Sequence, residues 1–207
     1  LTANTEDFEM GGVYVEDPGS VPVFTETVAD GTATNSYVPI YGYYMDDPNA
    51  TQSIYPASML SGITPGAQIT GLKYFVYSGN GSSWSDTKPM LVKMMEVYSE
   101  NLASGYEDVS AATTVFNGLM IGSAVNTTNG LVITFDNPYT YNGGNLLISM
   151  QLNPEDVGGY SSVYFYGTDA TNGSRYGYGL SNYNFTGTGS AANFLPKIEV
   201  TYQLAGA

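Results

Sequence analysis

NPYTYNGGNLLISMQL, residues 137 to 152, sets a turn-forming Asn142-Gly143-Gly144 between a proline-bearing aromatic lead-in and a run of apolar alternation. After the turn Leu146, Ile148, Met150 and Leu152 recur at every second position, which places them on one face of an extended chain and not on one stripe of a helix. Upstream, Leu131, Ile133 and Phe135 repeat the pattern, so the segment reads as two half-buried strands joined through a turn rich in residues that tolerate positive φ. Asn142 to Gly144 and the flanking Tyr139 and Tyr141 are read as scaffold.

The same period of two extends along the chain. Leu72, Tyr74 and Val76 share a face in LKYFVY, and Ile198, Val200 and Tyr202 share one in KIEVTY, with Lys197, Glu199 and Thr201 turned outward. PMLVKMMEVY, 89 to 98, is apolar on both faces apart from Lys93 and Glu96, as expected of a more central strand. Shorter strands are expected over 21 to 28, 38 to 44, 162 to 166 and 175 to 178. Between them stand Asp17-Pro18-Gly19, Asp46-Asp47-Pro48, Thr64-Pro65-Gly66, Gly79-Asn80-Gly81, Asn129-Gly130 and Gly158-Gly159, each with turn chemistry. The one helical turn expected lies at Pro56 to Leu60, with Pro in a first helical position. Roughly ten strands with no helical period between them predict an all-β, two-sheet antiparallel β-sandwich, jelly-roll-like. With no linker and no repeat, residues 21–207 read as a single domain preceded by a loose lead-in, 1–20.

Composition narrows the function classes. Five Lys and Arg against nineteen Asp and Glu give a formal net charge of −14, which repels phosphate backbones and anionic lipid. Nucleic acid is therefore not an expected partner. No apolar run approaches the roughly eighteen residues of a membrane helix, and no basic stretch leads an apolar one at the N-terminus, so membrane insertion is not expected either. The chain has no His and no Cys, which removes imidazole bases, thiolate nucleophiles and disulfides. An enzyme would be left with carboxylate chemistry of the glycoside-hydrolase type, and the acidic pairs Asp46-Asp47, Glu107-Asp108 and Glu155-Asp156 are adjacent in sequence where such chemistry needs two carboxyls on opposite sides of a bond. No enzyme is expected.

The strings NSYVPIYGYYMDDPNATQSIYPASML, GITPGAQITGLKYFVY, TVFNG, NGLVITFDNPYTYNGGNLLISMQL and LPKIEVTY together resemble a module of secreted and surface-anchored proteins of Bacteroidetes. The resemblance covers most of residues 35 to 202 and is most specific at Gln52-Ser53-Ile54-Tyr55 with Ala57 and from Pro138-Tyr139 through Ile148. It implies an adhesin-like sandwich with a cell-adhesion or carbohydrate-binding role, secreted or at the cell surface, and it supplies no catalytic residues.

Candidate ligand-binding residues follow from what holds a neutral sugar: aromatic faces against C–H surfaces, and amide, carboxylate or guanidinium groups on hydroxyls. Trp84 lies in the polar loop SGNGSSWSDTKP, where it serves as a lid over the core or as an exposed platform, the lid being the plainer reading for a large indole. RYGYGLSNYNF adds Arg175, Tyr176, Tyr178, Asn182, Tyr183 and Asn184, with Phe185 beside them. No cofactor is required on this reading, although Asp46, Asp47 and Asn49 cluster as ligands of a structural calcium would; a solvated Asp-Pro turn explains them more simply. The expected partner is a glycan or a surface protein. The competing expectation is an assembly or spacer subunit of pilus-like kind, using an exposed sheet edge near residues 21 to 28.

Overall fold

The computed structural model of the chain describes residues 21–153, 159–179 and 189–206. Among the described residues fourteen strands follow one another: β1 (Val23–Val28), β2 (Ala33–Asn35), β3 (Asn49–Tyr55), β4 (Gln68–Tyr74), β5 (Val76–Ser78), β6 (Lys88–Val97), β7 (Thr113–Met120), β8 (Leu131–Thr140), β9 (Asn145–Leu152), β10 (Tyr164–Thr168), β11 (Ser174–Tyr178), β12 (Ser190–Ala192), β13 (Leu195–Pro196) and β14 (Ile198–Gln203). They form a six-stranded sheet in the order β12-β11-β3-β9-β6-β7 and a four-stranded sheet in the order β1-β14-β4-β8. A small third sheet, β13-β10-β2 with β5 also paired to β10, is an addition to the expected two. It arises because β4 and β14 have neighbours, β5 and β13, one residue away. The N–H of Tyr166 in β10 bonds the Phe75 carbonyl while its own carbonyl accepts from Lys197 N–H. All the strand pairs are antiparallel.

One apolar core joins the sheets. From the six-stranded sheet come Tyr55, Met90, Val92, Met94, Leu146, Ile148, Met150 and Leu152, and from the four-stranded sheet Ile69, Leu72, Tyr74, Leu131, Ile133, Ile198 and Val200. Leu72, Tyr74, Leu131, Ile133, Leu146, Ile148, Met150, Leu152, Ile198 and Val200 among them are on the faces expected from alternation. The expected strand over 38 to 44 is not one: Val38, Pro39 and Ile40 are buried in a loop, followed by a 3-10 turn, Gly42–Tyr44. Pro39 has no N–H to give a ladder, which explains the break. The turn near Pro56 is a 3-10 helix, Ala57–Leu60, with Pro56 as the residue before it. The lead-in 1–20 lies outside the described residues.

β9 is buried along nearly its whole length, on both faces, and so is β3. The second face is sealed by residues 98 to 112, which cross the outside of the six-stranded sheet. Ile54 and Leu147 pack there against Leu102 and Val109. Gln52 beneath the crossing is satisfied by its backbone. Gln52, fully buried, donates from Nε2 to the Glu107 carbonyl at 2.9 Å and accepts the Glu107 N–H on Oε1 at 2.8 Å. Gln52 makes these bonds from an interior strand of the sheet. Among the described residues, Ser149 Oγ and Gln151 Oε1 on the same face have no hydrogen-bond partner.

The Asn142-Gly143-Gly144 turn is clamped from β6. The Glu96 carboxylate accepts from Asn142 N–H at 3.0 Å, from Asn142 Nδ2 at 3.1 Å, from the Gly144 N–H, and from the Tyr139 hydroxyl at 3.3 Å. Gly143 stands at φ +98°, a conformation that costs Gly least. Charge-assisted hydrogen bonds contribute about 1.5–3 kcal/mol each when their loss strands a donor. Glu96→Ala is therefore expected to lower unfolding stability by about 2–3 kcal/mol in urea titration, because this one carboxylate holds the turn between β8 and β9. An unchanged midpoint would show the turn to be set by its glycines alone.

Tyr55 and Tyr74 are fully buried, and burial pushes both phenols far above their ordinary value of 10.0. Tyr55 donates to the Pro196 carbonyl at 2.7 Å. Since the unfolded chain ionises near pH 10 and these groups resist doing so when folded, their stabilising contribution is complete below about pH 10 and is lost as pH rises above it. In an alkaline titration, tyrosinate absorbance from the buried rings is expected to rise together with the loss of the β-sheet dichroism signal. Full ionisation with the sheet signal intact would contradict it.

Candidate functional site

At one end of the six-stranded sheet its inner face is covered by the loop from Ser36 to Asp47. β11 lies against β3 with Tyr176 opposite Thr51 and Tyr178 opposite Asn49. Strand alternation therefore sends Tyr176 and Tyr178 to the inner face and Arg175 to the outer one. The loop comes down on the tyrosines and is fastened by the Thr51 hydroxyl, which donates to the Pro39 carbonyl at 2.6 Å, and by Asn49 Nδ2, which donates to the Tyr44 carbonyl at 3.2 Å.

The result is a continuous network of seven tyrosine rings. Tyr37 stacks on Tyr176 with centroids 4.6 Å apart, and Tyr44 stacks on Tyr178 at 3.6 Å and 4°. Tyr41 stands edge-on at the centre, 5.0 Å from both Tyr37 and Tyr44 and 5.2 Å from Tyr176. Tyr43 extends the network outward, 5.3 Å from Tyr44 and 5.5 Å from Tyr160. Tyr37, Tyr43, Tyr160 and Tyr178 are exposed, at 39%, 53%, 59% and 47%, so the cluster presents ring surface to solvent rather than hiding it. An open pocket of about 270 Å³ lies at its edge, lined by Tyr43, Tyr44, Asp46, Asp47 and Tyr160. The hydrogen bond with Tyr178 and the proximity of that phenol push the Tyr44 hydroxyl up to about 12, and burial beside Tyr176 and Tyr37 raises Tyr41 as well. Both hydroxyls stay protonated through the physiological range and remain available as donors.

Trp84 supports this end from below and is not a platform. It is 3% exposed, and its Nε1 donates to the Ser161 carbonyl at 3.0 Å. Ser161 N–H in turn donates to the Gly42 carbonyl at 3.0 Å, while a Cβ on Gly42 would fall 2.4 Å from the indole Cζ2. The indole thus seats the residues between Tyr41 and Tyr43 and the residue after Tyr160. On the other flank Lys88, fully buried, donates its ammonium to the Met45 carbonyl. Desolvation lowers its pKa, opposed by the charges of Asp46 and Asp47. A resident cation already sits against this acidic loop.

Arg175 is likewise structural. Its guanidinium donates to the carbonyls of Leu102 at 2.6 Å and Ala103 at 3.0 Å, fastening the 98 to 112 crossing on the far face from the tyrosines. Asn49, expected beside Asp46 and Asp47 as a calcium ligand, is buried with its amide committed to the loop's own carbonyls, at 3.2 Å to Tyr44 and 3.5 Å to Asp47. Among the described residues no third carboxylate or other metal-binding group joins the two aspartates. Asn182, Tyr183 and Asn184 lie outside the described residues. Of the expected site residues, the structure therefore brings together Tyr176, Tyr178, Asp46 and Asp47. It adds Tyr37, Tyr41, Tyr43, Tyr44 and Tyr160, whose only sequence signal is the density of aromatics in NSYVPIYGYYMDDP and the Gly-Gly before Tyr160.

No family model, no curated protein and no solved structure matches the chain. The tyrosine cluster must be interpreted from its own chemistry.

Trp84→Ala is expected to cost about 3–5 kcal/mol of stability, as large aromatic deletions from a core do. Urea denaturation checks this. A variant of unchanged stability would mean that the indole carries no packing load.

Proposed function

We propose that this chain is a noncatalytic recognition or adhesion module, working outside the cell, that binds glycan through the tyrosine-lined end of its sandwich. The observation that carries the reading is the exposed, pre-packed array of Tyr37, Tyr43, Tyr160 and Tyr178, backed by three further rings and edged by two carboxylates. Rings already locked against one another lose little freedom when a ligand lands on them, so ordering costs stay small. Tyrosine offers a sugar both an apolar face and a hydroxyl. The two carboxylates of the pocket belong to consecutive residues, an arrangement suited to accepting hydrogen bonds from one side of a ligand and not to flanking a scissile bond. The buried Lys88 ammonium supplies positive charge to the Asp46-Asp47 loop, which supports a site that needs no metal.

One observation favours a second reading. β1 is the end strand of its sheet, and Val23 and Phe24 on it are exposed at 58% and 40%. An assembly subunit would use such an edge to pair with another chain.

A glycan array probed with the chain, followed by titration of the best binder, separates the two. Tyr43→Ala and Tyr178→Ala are each expected to weaken binding about tenfold, from loss of ring contact. Tyr98→Ala, at a fully exposed ring outside the cluster, is expected to leave it unchanged. A blank array combined with concentration-dependent association would instead favour the β1 edge.

A further inference from the structure

We infer that the pocket between Tyr43 and Tyr160 selects an amino sugar carrying a free ammonium group over neutral or anionic sugars; this rests on the glycan reading above and deepens it. Two carboxylates, Asp46 and Asp47, share the pocket with three tyrosine rings, and no basic side chain lines it. The lysine nearest in charge is Lys88, which feels both aspartates, but its ammonium is buried on the Met45 carbonyl beneath the loop. Its ammonium is committed to that carbonyl, and both carboxylates line the pocket.

The remaining basic residues of the chain are engaged elsewhere. Lys197 pairs with Asp30 at 2.6 Å, Lys73 lies over the Phe75 ring at 5.0 Å, Lys93 reaches the Val109 carbonyl at 3.5 Å, and Arg175 holds Leu102 and Ala103. An anionic sugar entering the pocket would therefore meet unbalanced negative charge and no compensating cation, within a chain of net charge −14.

An ammonium group reverses each of those terms. It donates charge-assisted hydrogen bonds to Asp46 or Asp47 and is attracted to the faces of Tyr43, Tyr44 and Tyr160. The pocket's 270 Å³ falls just under the ~300 Å³ at which drug-sized sites begin, so it admits one pyranose ring, with further units running over the exposed tyrosines. N-acetylation of the same sugar removes the charge and adds bulk where the carboxylates stand. The free amine is expected to bind about fivefold to tenfold more tightly than its acetylated counterpart.

Calorimetric titration of the whole chain with a β-1,4-linked glucosamine disaccharide and with its di-N-acetylated form, at mildly acidic pH in low and high salt, tests this. The expected result is the stated preference for the free amine, reduced by salt. It should vanish in an Asp46→Asn/Asp47→Asn variant but persist in a Glu100→Gln/Asp169→Asn variant, which removes the same charge from exposed positions outside the pocket. The wild-type comparison alone is decisive should the first variant fold poorly. Equal affinity for the two disaccharides overturns the inference and leaves the glycan reading standing. Equal loss of preference in both variants overturns it too, since attraction would then follow net charge and not this pocket. Binding of neither disaccharide, with neutral glycans still retained on the array, overturns the inference alone, whereas a blank array removes the glycan reading with it.

Discussion

A strand buried on both faces can leave none of its polar groups to water, and β3 and β9 are such strands. An unpaired buried amide costs several kilocalories, so something had to cover Gln52 and meet both ends of its side chain. Residues 98 to 112 do so with backbone groups, and Arg175 and Lys93 add donors from the neighbouring strands. Once that crossing is in place, the outer face of the six-stranded sheet becomes a second small core. The inner face carries aliphatic side chains along β9 and β6 and tyrosines on β11. The tyrosine end depends on this division of labour between the two faces.

The strands themselves were legible wherever alternation was strong. Leu146, Ile148, Met150 and Leu152, Leu131 with Ile133, and Ile198, Val200 and Tyr202 all point inward as their spacing requires. The reading failed where a period of two had no contrast to show. β3, Asn49–Tyr55, is polar at most positions and buried at every one, so no pattern of apolar residues announced it as a strand. Val38 to Tyr44 failed in the opposite direction: its apolar and aromatic residues suggested a strand, but a loop buries Val38 and Ile40 and stacks Tyr41, Tyr43 and Tyr44 against other rings. Hydrophobicity reports burial there, not secondary structure.

The site was less legible than the fold, for a geometric reason. Arg175, Tyr176 and Tyr178 are neighbours in sequence, but one residue of displacement along a strand reverses the face, and the arginine serves a different surface from the tyrosines. Conversely, Tyr37 and Tyr44 of the loop, Tyr160 and Tyr178 come from three separate stretches and meet only because β3, β11 and the loop above them are stacked at one end. Nothing local to any one of them encodes the meeting. What the sequence did carry was the chemistry: tyrosines beside glycines, and two aspartates in a turn.

Trp84 has one more consequence. It is the chain's single tryptophan, and it touches the backbone that positions Tyr43 and Tyr160 without itself facing solvent. The chain thus contains its own optical reporter. Indole emission responds to local polarity and accepts energy from nearby phenol rings, so a shift of the Gly42 turn changes its colour or yield without any label having been attached.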